Sequence, residues 1–394
     1  MHTYKEVFPL KYWFGYLSAA IIGGLTWVLM QFGQRFSTLL DMVYPYVIRT
    51  LQDILAGWSG TVDFLLWQLL AVVLAVVILA SLVAVIAAKK SIIAWGGWVL
   101  SACAAVYLLH TMVWGLNYYA GPLAEDIRME VSQYTVEELA EATEYYRDKA
   151  NILSQQVKRS GNALNYPEFE EMADRAYMGF QWLVYDRSYP IFAGCTRPVK
   201  QLGWADMYTS MGITGVTFGL TGEAAVNPQI PDVLLPFTMC HEMAHRMCIA
   251  SERDANFAAF LSCSVHPDLE FEYSAYFMAF RYCFNAIASV KTVSAAQYTA
   301  DLREGISRQL QQDLNDYNSF FSTHQDAAAT EIANTANDTY LKTSGEKSGI
   351  ASYSEVCDLL VNWHIQEVVL PSVTVEESHF DPYDENQVDI TDIR

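Results

Sequence analysis

Hydrophobic positions run unbroken over three stretches near the amino terminus and become periodic beyond them. Residues 12–34 and 64–88 carry no charge, and 91–124 are broken only by His110. Each stretch exceeds the roughly 20 apolar residues that a helix needs to cross a bilayer. Residues 64–88 are almost wholly Leu, Val, Ala and Ile, whereas the other two carry Trp and Tyr near their ends, as interfacial anchors do. The pattern predicts three transmembrane helices, near 12–33, 64–88 and 91–115, in an anchor over 1–115. The first is too long for a cleaved signal peptide and is followed by two more. Between the first two, residues 34–63 mix apolar side chains with scattered charges, which predicts interfacial or short helices broken at Pro45 and at Gly57 and Gly60.

From residue 116 the period changes. Residues 117–122 read as a linker, and a capping-box pattern at Thr135-Val136-Glu137-Glu138 starts a helix that runs through Leu153 or beyond. A second helix is predicted across 167–184. Gly, Pro and Thr become common over 188–233, where the β-branched run 213–218 predicts a short strand or hairpin. Helices return at about 234–248, 252–264, 271–290, 296–320 and 352–368. The fold expected is therefore mainly α: three transmembrane helices, then a mostly helical α+β domain over 116–372 with a small strand or hairpin. Residues 373–394 are acidic and poorly periodic, and read as a surface tail.

Charge divides at the same boundary. Residues 1–115 hold six basic and four acidic side chains, a net of +2, so the remainder carries −22 of the chain's net −20. That surface repels nucleic acid and anionic lipid and favours solubility. Lys89-Lys90 is the whole connection between the second and third spans, which marks the cytoplasmic side, and Lys5 and Lys11 agree. Arg35 and Arg49 lie in the opposite loop, offset by Asp41, Asp53 and Asp63. The anchor is thus expected to place the domain over 116–372 outside the cytoplasmic membrane. Six of seven cysteines fall in that domain, an even number that permits disulfides without defining a pairing. Cys240 and Cys248 would lie about 12 Å apart on one helix, too far to bridge.

The candidate chemistry is at His241-Glu242-Met243-Ala244-His245, an H-E-x-x-H pattern. Four-residue spacing turns both imidazoles to one helix face, where they can grip one Zn²⁺, with the glutamate placed to take a proton from a water. Phe237, Cys240, Ala244 and Met247 gather on another face, an apolar back that packs the helix. A catalytic zinc needs a third protein ligand and an open fourth position. Glu252 is the first candidate and Asp254 its competitor, about 200° around the helix from it. One continuous helix would carry Glu252 about 10 Å along the axis from His245. The chain must therefore turn between about 248 and 251. An intramembrane position is disfavoured, because the apolar run 233–250 is interrupted by His241, Glu242, His245 and Arg246.

With Glu252-x-x-Ala255-Asn256-Phe257-Ala258 after the histidines, the stretch resembles the zincin metallopeptidases that take a glutamate as third ligand. The wider block is similar to a bacterial family of membrane-anchored zinc peptidases known mainly as a domain of unknown function. The marks of that likeness are Met211-Gly212-Ile213-Thr214-Gly215, Gly222-Glu223-Ala224-Ala225-Val226-Asn227, Leu235-Pro236-Phe237-Thr238 and Tyr273-Ser274-Ala275-Tyr276. One departure is Cys248, where a glycine is expected to turn the chain. The resemblance implies metal-assisted hydrolysis of peptides or proteins, with His241, His245 and Glu252 holding Zn²⁺ and Glu242 as general base. Tyr273 is the first candidate for an oxyanion donor, ahead of Tyr276 and His266. Residues 212–219 are expected to offer a strand edge to an extended peptide, with Glu223 and Asn227 shaping the cleft. The rival expectation is a catalytically silent zinc-binding or protein-interaction membrane protein that retains the fold.

Overall fold

A computed structural model describes residues 12–194, 196–349 and 355–371. The expected tail, 373–394, and Lys5 and Lys11 lie outside the described residues. Four long helices open the chain: α1 (Phe14–Arg35), α2 (Ser37–Ser59), α3 (Leu66–Ala87) and α4 (Ile92–Val113). There follow α5 (Leu123–Asp126), α6 (Val136–Gln156), a hairpin of β1 (Arg159–Ser160) and β2 (Ala163–Leu164), α7 (Phe169–Ala173), α8 (Met178–Tyr185), β3 (Lys200–Gln201), α9 (Ala205–Ser210), β4 (Gly215–Phe218) and β5 (Glu223–Val226). The rest is helical: α10 (Leu235–Arg246), α11 (Glu252–Ser264), α12 (Leu269–Ser289), α13 (Val293–Glu304), α14 (Arg308–His324), α15 (Ala327–Ser344) and α16 (Val356–His364). The molecule is mostly helical, with small sheets of few strands, as its patterning predicts.

Helices α1, α3 and α4 are long and apolar enough to cross a membrane, and their apolar side chains face outward. Helices α1 and α4 pack side by side through small residues. A side chain on Gly15 would strike the backbone of Gly97, and Ser18 and Ser101 share a hydrogen bond of 2.8 Å. Close approach of this kind is what holds apolar helices together where no hydrophobic drive separates helix from lipid. The ends at Arg35, Leu66 and Val113 adjoin the folded domain, and the Lys89-Lys90 turn lies at the far end of the bundle.

Residues 34–63 do not break where Pro45 and Gly57 suggest. The single helix α2 runs through Pro45 and Gly57 and ends at Ser59, with Gly60 the break expected there. Its buried side (Leu40, Pro45, Ile48, Arg49, Gln52, Ala56, Ser59) lies against the domain, with Gln52 Nε2 donating to the Gly219 carbonyl at 2.8 Å and Arg49 to that of Pro190 at 3.2 Å. Tertiary contacts thus outweigh the local cost of a proline, which deletes one helical hydrogen bond. A second junction is Glu223, whose side chain is fully buried. Its oxygens accept from the backbone N–H of Leu66 (2.9 Å) and of Trp67 (3.0 Å), and from Lys200 Nζ (2.8 Å) and Thr221 (2.8 Å). A domain carboxylate therefore caps the amino terminus of a helix long and apolar enough to cross a membrane, where orphan N–H groups and the helix dipole favour negative charge.

The core of the domain gathers around α12, packed on α6, α10, α11 and α16, with Tyr146, Phe257, Phe260, Phe271, Phe277 and Phe280 fully buried. The capping box at Thr135 forms as expected, its hydroxyl accepting from Glu138 N–H at 3.1 Å while Glu138 accepts the Thr135 N–H at 2.6 Å. Three expectations change. The helix predicted over 167–184 is two, α7 and α8. The one over 296–320 breaks at Gly305 into α13 and α14, because Ser307 caps a fresh start by accepting from Leu310 N–H at 3.3 Å. Helix α15 was not predicted at all; Asp326 starts it by accepting from Ala329 N–H at 2.8 Å. The described cysteines form no disulfide.

Replacing Glu223 by Ala uncaps α3 and leaves the half-buried Lys200 Nζ without its charge partner, with only the Ser59 and Phe64 carbonyls to donate to. We expect a loss of about 3–5 kcal/mol, the cost of removing one member of a buried pair. It would be read as a marked fall in the thermal midpoint of the detergent-solubilised protein, while a surface control such as Glu137→Ala leaves the midpoint within error.

Candidate metal centre

Helix α10 carries Pro236 in its first turn, where a missing N–H costs nothing, and every residue from Leu235 to Arg246 is buried. Its apolar back meets the core, and its polar front faces a cavity. The helix ends in a Schellman motif. Cys248 N–H donates to the His245 carbonyl at 2.9 Å, and Ile249 N–H to that of Ala244 at 3.2 Å. Cys248 occupies the left-handed position of that motif, with φ +74°. The turn expected of a glycine is thus made by a cysteine, at a cost of about 1 kcal/mol in backbone strain. It reverses the chain into α11, whose Ala255, Ala258 and Ala259 are fully buried and allow close packing on α10.

The reversal brings Glu252 back to the histidines. Its Oε2 lies 3.2 Å from His241 Nε2 and 3.3 Å from His245 Nε2, and the three ligand atoms all fall within 4.8 Å of one another. Donors at about 2.0–2.1 Å from a tetrahedral zinc stand about 3.3 Å apart. The observed separations therefore match a zinc ligand set. The buried Oε2 makes no hydrogen bond, although two ring nitrogens converge on it. His245 Nδ1 donates to the Ile249 carbonyl at 2.8 Å, which turns Nε2 towards Glu252 as the nitrogen a metal would take once its proton is displaced. The turn at Cys248 thus supplies both the third ligand and the carbonyl that orients the second.

Electrostatics agree with a place for a cation. Burial opposes charge on Glu252, but the two imidazoles outweigh it and hold the carboxyl well below its ordinary range. Burial likewise opposes charge on His245, yet the Glu252 carboxylate lifts it to about 9. Without a metal the cluster thus holds a proton, which a cation would displace on binding. The donor set fits a divalent zinc, with two neutral nitrogens and one carboxylate oxygen.

Glu242 sits beside this set, 4% exposed, its carboxyl pushed up chiefly by burial and held back by the histidines. The Thr217 hydroxyl lies 2.7 Å from Glu242 Oε2 and 2.9 Å from the Glu242 carbonyl, so its one proton is shared between them. Gly215 lies directly over the Glu242 carboxyl, and any side chain there would collide with it. Both residues belong to β4, an outer strand of the sheet β3-β5-β4, paired antiparallel to β5 with Gly215 opposite Val226 and Phe218 opposite Glu223. The cavity of about 450 Å³ in front of the histidines is lined by residues 211–217 on one side and by Trp114, Tyr118 and the α15 residues Asn334, Asn337 and Tyr340 on the other. Trp114 and His245 meet in an edge-to-face contact, ring centres 6.2 Å apart.

His241, Glu242, His245 and Glu252 are thus brought together, as the spacing suggests. Asp254, the competing ligand, turns away: its Oδ2 accepts from Leu123 N–H at 3.0 Å and its Oδ1 from Arg253 at 3.0 Å. Tyr273 is not at the site. Its hydroxyl donates to Asp313 at 2.5 Å in the core, where Arg159 also grips Asp313, because the face of α12 that carries it turns inward. Tyr276 packs among Tyr145, Tyr146 and Phe260, and His266 bridges the Arg175 carbonyl and the Asp268 N–H. Glu223 caps α3 rather than lining the cleft, and Asn227 is spent on Thr209, the Ile213 carbonyl and Gln229 N–H. Two tyrosines do line the cavity, Tyr118 and Tyr340; the Tyr340 hydroxyl lies 3.2 Å from His110 Nε2, and burial pushes it up to about 12, so that it keeps its proton. Sequence reasoning missed Tyr340 because α15 was not recognised. The signal was present as an Asp326 cap followed by Ala333, Asn334, Asn337 and Tyr340 at helical spacing.

The description "Protein of unknown function (DUF3810)" belongs to a family model that matches residues 40–361. No curated protein and no solved structure matches the chain.

Because Cys248 needs a positive φ and an N–H to donate to the His245 carbonyl, Cys248→Pro should abolish the return of Glu252. Zinc content of the purified protein is then expected to fall at least tenfold. Cys248→Gly relieves the strain, and should retain zinc with stability unchanged or raised by about 1 kcal/mol.

Proposed function

The chain belongs to the DUF3810 family, a family of unknown function, and we propose from its own residues that it is a membrane-anchored zinc metallopeptidase. It would hydrolyse peptide bonds of peptides or proteins outside the cytoplasm. The observation that carries this reading is the convergence of His241, His245 and Glu252 at zinc-ligand separations with the Glu242 carboxylate beside them. The likeness of the same block to glutamate-ligated zincins supports it. The outward orientation rests on Lys89-Lys90, at the end of the bundle away from the domain.

A zinc ion held by the three ligands would supply an acidified water and polarise a substrate carbonyl. Glu242 takes a proton at its carboxylate as water attacks and passes it to the departing nitrogen; burial raises its affinity for that proton towards the working range. Thr217 restrains the carboxylate, and the bare Cα of Gly215 gives it room. The outer strand β4 offers backbone groups to an extended chain, which fixes the scissile bond by β-strand addition. Tyr340, protonated at neutral pH and facing the cavity, is the donor we assign to the developing oxyanion.

Glu242→Gln should retain stoichiometric zinc and lower cleavage of a peptide library by at least about 100-fold, the scale of general base catalysis. Undiminished cleavage would remove the mechanism, and a zinc-free wild-type protein would remove the enzyme altogether. Zinc bound by a wild type that cuts nothing would favour the silent binding protein. Tyr340→Phe should lower kcat by about 100-fold with little change in KM, the signature of a donor used in the transition state.

A further inference from the structure

We propose that the site works at the bilayer surface on polypeptides that emerge from the membrane, and cuts them close to their point of exit. This rests on the peptidase reading and names its substrate class. The end of a membrane-spanning helix is built into the wall of the cavity. Helix α4 has 22 residues, about 33 Å, close to the roughly 30 Å hydrocarbon core. Trp114 follows its last residue and rests on His245, ring centres 6.2 Å apart, and His110, one turn earlier, lies 3.2 Å from the Tyr340 hydroxyl. The ligand histidine is thus one ring contact from the membrane boundary.

The strand that would hold a substrate points the same way. It begins at Gly215, over Glu242, and ends at Phe218, which stacks on Trp67 in the first turn of α3 at 5.5 Å. A chain laid along it travels from the metal ligands to the head of a spanning helix in four residues, about 13 Å. Helix α2 provides an independent observation. Opposite the side that grips the domain, its first half exposes Leu39, Met42, Val43, Tyr46 and Val47 on one face, which Thr50 and Asp53 continue beyond them. An exposed apolar stripe on a helix continuous with three membrane spans is the pattern of a helix lying in the interface. It sets the domain down on the lipid, with the cavity beside it.

The test uses the full-length zinc-loaded protein in phosphatidylcholine vesicles. One peptide is offered free, and also fused to a single transmembrane helix through a spacer of about 5 or about 40 residues, with a reach of up to about 3.3 Å per residue. We expect the tethered chains to be cut at least 100-fold faster than the free peptide, with cleavage mapped by mass spectrometry to within about ten residues of the helix end for both spacers, set by that reach. Equal cutting of free and tethered peptide, or cuts far out on the long spacer, would overturn the inference and leave the peptidase intact. Release of fatty acid with the polypeptides untouched would replace it with a lipid substrate. If the zinc-loaded protein cuts nothing, the peptidase reading fails. The placement is then judged by a fluorophore on Asn334→Cys at the cavity: quenching by headgroup-level brominated lipid supports the surface position, and no quenching overturns it.

Discussion

A buried carboxylate oxygen without a hydrogen bond is the constraint around which this structure is arranged. Glu252 Oε2 stands between two imidazole nitrogens, shielded from water, and a charge in that position is tolerable only if positive charge shares the space. Holding it there takes a reversal of the chain within five residues, and the Schellman turn at Cys248 provides it. That turn also exposes the Ile249 carbonyl to His245 Nδ1, so ligand placement and ligand orientation come from one piece of backbone. Full burial of α10 and the alanine face of α11 follow from the same requirement, since neither helix can shift without separating the donors.

The second organising fact is that the anchor and the domain share structure. Glu223 belongs to the sheet by sequence and to α3 by function, and Gln52 of α2 completes a carbonyl of the β4–β5 connection. Trp67 and Trp114, at the heads of two membrane-capable helices, pack on Phe218 and His245 respectively. Such contacts leave no flexible tether between the apolar helices and the cavity. Perturbing the bundle would therefore reach the candidate site through packed side chains, whereas an enzyme on a loose stalk would be indifferent to its anchor.

Much of this was legible in residue order, and the reason is local. Apolar stretches long enough to span a bilayer depend on composition alone, as do the capping box at Thr135 and the H-E-x-x-H spacing, which needs only the helical repeat to align two imidazoles. Angular position, another local property, indicates that Glu252 and Asp254 do not both reach one metal, and the Glu252-x-x-Ala-Asn pattern favours the first. Long-range partners were not legible. Tyr273 looked well placed because it lies soon after the ligand helix, but Asp313, forty residues further on, draws its hydroxyl into the core. Glu223 read as part of a cleft because nothing in its neighbourhood announces the free N–H groups of Leu66 and Trp67.

Patterning thus established that the chain has three membrane-capable helices, a mainly helical domain and a two-histidine helix with a glutamate beyond it, because each depends on residues within a turn or two of one another. Folding in three dimensions determined the rest: which strand edge faces Glu242, that Tyr340 and Trp114 close the cavity, and that α2 continues through Pro45. Those outcomes join residues from 25 to more than 200 positions apart. Their energies come from packing and desolvation at contacts that no local repeat encodes.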